Sequence, residues 1–419
     1  MTPVLADQLE APGVPERLRE FLVNHRLGAA EKDIETAEPA YRGAAEAERA
    51  RYERALATLD AHGGDPLTAF REAGASGRIA LAASSATHAV LPLIATRDGI
   101  DLQVETGLSS HRRRFGWRGG FWLPECAYVP GLEWDLARAG IEWFCVDQSR
   151  HEPGDRALAP VRTEAGPMAF TIDWEAISWL WDMQGYPSWT GYLDFHRLSM
   201  NGIRIFRIDG EPYDAAAAAE AASRQADEFL DAAAERLGRY RDREGERGLM
   251  VFAVDCELLG HWWSEGPIWL ENVLERAAGR GIRLVTLDDA ATGGGRSAEL
   301  KPSTWGEDKD FRTWDEPVVA DLAWGARKLE LEVRRAITGG LRGGPAERAV
   351  RELLAVQSSD WAFLDNRKQA GDYPYHRAIH HAEGAFDALQ SSADAHHVPS
   401  DSRVRSLAPD LSLTPLLTP

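Results

Sequence analysis

The sequence predicts an α/β fold of parallel β/α units followed by an all-helical region. Three observations predict it. Short apolar runs alternate with helical stretches up to about residue 290, three consecutive glycines then break the pattern, and beyond them only helical periodicity remains. The opening MTPVLADQLE carries no strand signal and runs into helical spacing, with Leu18, Phe21 and Leu22 on one face. Residues 31–75, rich in Ala, Glu and Arg and broken at Pro39 and Gly63-Gly64, suit two or three helices with solvated charges. Strand candidates follow at about 78–84, 120–124, 141–146, 204–208, 249–254 and 282–287.

Between the fourth and fifth candidates lies AAAAAEAASRQADEFLDAAAERLGRY, an amphipathic helix expected on the outside of the sheet or barrel. TGGGRS at 292–297 reads as a linker, because three glycines offer no side chain to pack. Residues 318–337 and 345–364 read as two long helices, and HVPSDSRVRSLAPDLSLTPLLTP as a poorly ordered tail. The expected boundaries are therefore 1–292 for a β/α catalytic domain, 298–395 for a helical domain completing the cleft, and 396–419 for a disordered tail. No internal repeat is visible.

With 419 residues the chain can bury a large core, and 66 acidic against 47 basic residues give a formal charge of −19. Nucleic acid or an anionic membrane would demand a basic surface, so neither is an expected partner, and a neutral substrate fits better. No basic, apolar, small-residue leader and no run of about 18 apolar residues occur, so a cytoplasmic protein without a membrane span is expected. Cys126, Cys145 and Cys256 lie far apart in apolar runs and are expected to be reduced and buried. Fifteen tryptophans are the compositional outlier. Core filling is the plain explanation, but Trp179 with Trp181, Trp262 with Trp263, and Trp305 with Trp314 cluster beside polar, acidic or Gly-rich residues. An aromatic-lined cleft explains that clustering better.

Three polar side chains directly follow apolar runs: His88 after IALAASSAT, Glu125 after GFWLP, and Asp255 after LMVFAV. In a parallel β/α barrel, positions just past the strand ends converge on one mouth. Two carboxylates meeting there are what glycoside hydrolysis needs, one to attack the anomeric carbon and one to move the proton. A lone strand-end acid is more often a helix N-cap or a surface ion pair. Here Pro124 stiffens the backbone before Glu125, and Gly260-His261-Trp262-Trp263 gives Asp255 an aromatic wall with a hydrogen-bonding imidazole. An acid held against indole should have a raised pKa, which suits a general acid. A metal-dependent deacetylase using His88, His111 or His261 is disfavoured, since no H-x-x-x-H motif stands at a strand end and His380-His381 and His396-His397 fall in helical or tail segments.

The segments GFWLPECAYVPGL and DCELLGHWWSEGP resemble two signature regions of glycoside hydrolase family 57, and specifically of its α-glucan branching enzymes. ATHAVLPL around His88 and PSTWGEDKDFRTW, from Pro302 to Trp314, are similar to two more, and DMQGYPSWTGYLDF and LLAVQSSDWAF resemble stretches outside the signatures. Together with the opening TPVLADQLE they cover nearly all of the chain. The resemblance implies Glu125 as nucleophile, Asp255 as general acid/base, and His88 as a ligand of the bound sugar. It implies Trp262, Trp305 and Trp314 as cleft aromatics, with Trp181 and His261 as further substrate-binding candidates. It also implies a (β/α)7 barrel followed by a helical domain, no metal or cofactor, and retention of the α-anomer, with the two carboxyl groups about 5–5.5 Å apart. The expected partner is an α-1,4-glucan such as glycogen, amylose or a maltooligosaccharide, and the expected unit is a monomer.

Two departures qualify the resemblance. The family's first, His-rich signature is absent, so a barrel lacking its first strand is expected, through a late start or through degeneration to a non-catalytic carbohydrate-binding relative. No tyrosine occurs between Tyr128 and Tyr186, where branching enzymes carry one thought to shield the glycosyl-enzyme from water. An α-amylase or 4-α-glucanotransferase of the family is therefore the alternative activity.

Overall fold

Apolar runs that stop at a polar residue become the sheet in this computed structural model, which describes residues 1–151, 154–390 and 406–417. Strands β1 (Gly120–Phe121), β2 (Trp143–Val146), β3 (Val161–Arg162) and β4 (Met168–Thr171) form one sheet in the order β1-β2-β4-β3. β2 runs parallel to both β1 and β4, with Trp143 opposite Met168 and Val146 opposite Thr171, while β3 is antiparallel to β4. Every residue of β2 and β4 is buried, as expected of parallel strands covered on both faces. The run 78–84 joins the β1 edge through Ala83, whose amide donates to the Gly120 carbonyl and whose carbonyl accepts from Trp122. On the far side the run 249–254 is extended and takes the Asp173 amide on the Val251 carbonyl. The parallel pairings thus carry His88, Glu125, Asp147 and Asp173 past one edge of the sheet.

Four strands among the described residues are fewer than a seven-stranded barrel requires; of the six expected, 120–124 and 141–146 contain ladder strands, 78–84 and 249–254 only run alongside, and the other two do not join the sheet. The run 204–208 buries Ile203 and Ile205 against Ala30, Ala44 and Ala45 of the N-terminal helices, so its apolarity serves helix packing. The run 282–287 has no ladder partner among the described residues, and Leu284 in it is 51% exposed. Conversely, β3 and β4 arise where no strand is expected, on either side of Gly166 and Pro167. The expected linker also docks. Arg296 exchanges backbone hydrogen bonds with Pro160 and Arg162 beside β3, and a Cβ on Gly295 would lie 2.7 Å from the Met168 sulfur.

The predicted long helix spans Ala215–Glu244, capped by Asp214 accepting from the amides of Ala216 and Ala217 and ended by left-handed Gly245. Its stripe from Ala218 to Ala233 packs on helix Gly266–Arg276. From the same helix Arg236, 1% exposed, reaches inward to both carboxylate oxygens of Asp173, to Asp155 and Glu175, and to the Gly154 carbonyl. That cluster fixes the end of β4 and the loop after β2.

The helical region comprises Ala320–Thr338, Gly343–Val356, Ser359–Asn366 and Tyr373–Gln390. The expected second helix is split at Gln357-Ser358, where Ser358 bridges to Ala89. Residues 406–417 correct the expected disordered tail. Leu416 and Ala408 are buried with Leu329, Val333 and Leu353, and the Ala408 amide donates to Asp7, itself 2.7 Å from buried Arg114. Residues 391–405 and 418–419 of the expected domains lie outside the described residues. No helix among the described residues is long and apolar enough to cross a membrane.

Replacing Arg236 strands a buried carboxylate at Asp173. Arg236→Met is expected to lower unfolding free energy by about 3–5 kcal/mol, whereas Arg239→Met, at an exposed pair with Glu235, should cost no more than about 1 kcal/mol. Urea denaturation of the two variants checks this, and equal midpoints would refute the clamp.

Candidate active site

Glu125 begins with the backbone. The β1 run ends at Leu123-Pro124, and the next two residues take left-handed conformations, φ 60° at Glu125 and 50° at Cys126. Non-glycine residues adopt these only where surrounding contacts over-determine them. The turn aims Glu125 into the mouth, where it is 8% exposed, and sends Cys126 into the core. The Trp305 indole N–H donates to Glu125 Oε2 at 2.8 Å, and the Trp305 amide donates to the Glu125 carbonyl at 2.9 Å. His88, also left-handed at φ 57°, places Nδ1 3.5 Å from Oε1 and 2.9 Å from Ser359 Oγ. One carboxylate oxygen is thus held by a neutral donor, and the other faces an imidazole and the open mouth.

Asp255 follows the extended run 249–254 and stands exposed on the open side of the mouth. Desolvation by the surrounding protein, then the like charges of Glu257 and Glu125, raise its pKa from 3.8 to about 6, against a smaller lowering by His88. Water entering from the open side tempers that shift until a substrate covers it. The electrostatic coupling among Asp255, Glu125 and His88 places these three sequence-predicted residues in one site. A carboxylate held by a neutral donor beside one whose pKa is raised to about 6 is the pairing for nucleophilic attack with proton delivery.

The remaining candidates divide. Trp305 contacts Glu125 directly and meets Trp122 edge-to-face at 5.2 Å. His261 and Trp262 are exposed on the loop after Asp255, and Trp181, 53% exposed, ends helix Trp174–Trp181, about 10 Å along its axis from Trp174. Trp314 is a correction. At 2% exposure it packs with Val90 and Ala127 beneath Gly306, whose added Cβ would lie 2.8 Å from its ring, so it supports the Trp305 loop and has no free face for a sugar. Trp263, 1% exposed, is core. Cys256 is exposed rather than buried, because it follows Asp255 into the open side; all three cysteines are free thiols. His111 is buried, and desolvation holds its pKa down to about 3. No group of three or more metal-ligating side chains occurs among the described residues.

Other contributors carry weak sequence signals. Ser359 comes from the helical region, 271 residues from His88. Gln148, in the VDQSRH segment, is buried and grips Lys301 and Ser303, fixing the segment that delivers Trp305. Lys309 pairs with buried Asp147 at 3.0 Å, lies over the Trp174 ring, and reaches the Trp305 carbonyl at 3.4 Å; burial pulls its pKa down. Beside it opens a cavity of about 500 Å³ lined by residues that include Ser149, Arg150, Asp173, Trp174, Asp308 and Lys309.

Comparison with known proteins gives a consistent picture. The glycosyl hydrolase family 57 model matches residues 50–303, and that of the 1,4-alpha-glucan branching enzyme C-terminal domain matches 327–413. A probable 1,4-alpha-glucan branching enzyme of Mycobacterium tuberculosis is 34% identical over 423 residues, covering 91% of this chain and 80% of the relative. A 1,4-alpha-glucan branching enzyme of Thermococcus kodakarensis is 29% identical over 434 residues, covering 91% and 64%. The crystal structure of a branching enzyme of the same family from Pyrococcus horikoshii superimposes with a TM-score of 0.92 at 27% identity, over 100% of this chain and 86% of that one. An α-amylase from Thermotoga maritima shares the fold, with a TM-score of 0.87 at 23% identity over 100% and 89%.

The Asp255 shift has a checkable sign. Its proton leaves as pH rises through about 6, so a reaction that needs the proton slows above that pH. Carbon-13 titration of the Asp255 carboxyl should show this midpoint, and Glu257→Gln, by removing a like charge, should move it down. An unchanged midpoint in that variant would remove Glu257 from the account.

Proposed function

The chain belongs to glycosyl hydrolase family 57, and on that premise we propose that it is a 1,4-α-glucan branching enzyme. Glu125 is the nucleophile and Asp255 the general acid/base. The observation that carries the reading is the pair of strand-end carboxylates in unlike environments, one gripped by the Trp305 indole and one with its pKa raised.

In the first step the Asp255 proton passes to the glycosidic oxygen, the C1–O4 bond breaks, and Glu125 Oε1 forms an ester with C1. Oε2 keeps its bond from Trp305, so Oε1, beside His88, is the attacking atom. In the second step Asp255, now a carboxylate, takes the proton of an acceptor 6-hydroxyl. That oxygen attacks C1, the ester breaks, and an α-1,6 link forms with retention. Water in place of the acceptor gives hydrolysis. His88 binds a hydroxyl near the cleaved bond, and Trp181, His261, Trp262 and Trp305 offer the substrate polar and aromatic surface.

The substrate is an α-1,4-glucan such as glycogen, amylose or a maltooligosaccharide. The proposed working unit is the monomer. The (β/α)7 barrel of the family is the proposed frame, with the four strands and the extended runs 78–84 and 249–254 as its ordered wall. Free thiols suit the reducing cytoplasm.

Incubation with amylose, following α-1,6 anomeric protons and reducing ends together by NMR, tests the reading. New α-1,6 signals without matching reducing ends are expected; reducing ends alone would make the chain an α-amylase, and altered chain lengths without either a 4-α-glucanotransferase. Glu125→Gln and Asp255→Asn should each lower turnover on the order of 10³-fold or more, and retained turnover in either would defeat the assignment. Trp305→Phe keeps the plane but loses the donor to Glu125, which should cut kcat roughly 10- to 100-fold.

A further inference from the structure

The loop that follows Asp255 holds its two adjacent tryptophans in opposite directions. Gly260, left-handed at φ +103°, lets the chain fold back, with the amides of His261 and Trp262 both donating to the Glu257 carbonyl and that of Gly260 to the Trp263 carbonyl. Trp263 goes into the core against Tyr192 and Trp269. Trp262 goes out and is 49% exposed.

One side of the outward indole is covered from a distant segment. The Phe195 ring lies 4.4 Å from it, centroid to centroid, at 34°. Arg204 sits over the Phe195 ring at 4.5 Å and donates to the His261 carbonyl at 2.9 Å, while the His261 ring meets Phe195 edge-on at 4.9 Å. Phe195 itself cannot drift. Next to it the Asp194 amide donates to the Phe206 carbonyl and Leu193 bridges to Arg207, and the same excursion is anchored by Ile203 and Ile205 in the N-terminal core.

With Phe195 against one side, Trp262 still leaves about half of its surface to the solvent. For folding alone, a half-exposed indole held between an aromatic ring and a fixed loop gains little, since its free face remains wet. For binding it gains directly. A pyranose ring that docks on an already immobilised indole does not have to order it, so more of the stacking energy appears as affinity.

We infer that Phe195, backed by Arg204, is a positioning residue that fixes the Trp262 indole as a platform for a glucose ring of the α-glucan. The inference rests on the reading of the chain as an α-glucan enzyme with Trp262 in its cleft. Neither Phe195 nor Arg204 touches the carboxylates, so their loss acts on substrate binding and leaves the chemical step alone.

The test is a double-mutant cycle on amylose, with KM and kcat measured for wild type, Phe195→Leu, Trp262→Ala and the double variant. Phe195→Leu keeps an apolar side chain and leaves the Ile203 and Ile205 anchor untouched, so the excursion stays folded. It should raise KM roughly 3- to 10-fold with kcat within about twofold; Phe195→Tyr should restore KM, and Phe195→Leu should add nothing once Trp262 is Ala. If Trp262→Ala raises KM while Phe195→Leu leaves it unmoved, or if the two effects multiply, the positioning role is overturned and the α-glucan reading stands. If wild type is inactive on amylose, or Trp262→Ala leaves KM unchanged, the underlying reading has failed instead.

Discussion

A buried carboxylate has to be answered by donors, and at Glu125 the donors come from elsewhere in the chain. The β1 strand is two residues long and supplies the approach but no hydrogen-bonding side chain of its own. The indole of Trp305 arrives on a segment paired with Tyr128 through Ser303, and that segment is gripped by Gln148 at the end of β2. The imidazole of His88 arrives on the run beside β1 and is oriented by Ser359 from the helical region. Removing any of these supports leaves a charge facing an unpaired cavity wall, which costs more than the hydrogen bond itself contributes. The left-handed backbone at His88, Glu125 and Cys126 is the visible consequence of so many constraints meeting at one point.

The same logic accounts for the polar interior. With strands this short, ladder hydrogen bonds cannot by themselves hold the mouth in shape, and buried ionic clusters do it. Arg236 ties β4 to the loop after β2, and Arg114 ties the first helix to the segment 406–417 through Asp7. Glu330 receives the amides of Ala95 and Thr96 and the side chain of Gln357, so the helical region is latched to the segment that follows His88. Buried ion pairs of this kind contribute little net stability but penalise every arrangement that breaks them. They specify one geometry for the carboxylates.

This division explains what could be read from the chain. Glu125, Asp255 and His88 were legible because each ends an apolar run, and a parallel β/α arrangement brings such ends together whatever their separation. Ser359 was not, because a serine opening a helix has many commoner explanations and its partner lies hundreds of residues away. The run 204–208 was misread because four or five apolar residues look alike whether they pair in a sheet or pack on helices. Trp305 and Trp314 stand nine residues apart in one polar motif, and only the missing side chain of Gly306, which admits the Trp314 ring beneath it, hinted at which would be buried.

The coupling between the two carboxyl groups also gives the proposed reaction its direction. Part of the rise in the Asp255 pKa comes from the negative charge on Glu125, and that charge disappears when Glu125 becomes an ester of the glucosyl unit. Asp255 has by then given up its proton to the leaving oxygen, and with the neighbouring charge gone the tendency to recapture one weakens. It therefore stands as a carboxylate when the acceptor hydroxyl arrives. Attack on C1 restores the Glu125 charge, the Asp255 pKa climbs again, and the proton taken from the acceptor is retained for the next cleavage. Desolvation and Glu257, the two larger causes, act throughout the cycle; the Glu125 contribution switches with each half-reaction. The Glu125 charge, third among the causes after desolvation and Glu257, thus reinforces the alternation of Asp255 between acid and base with no change in the fold around it.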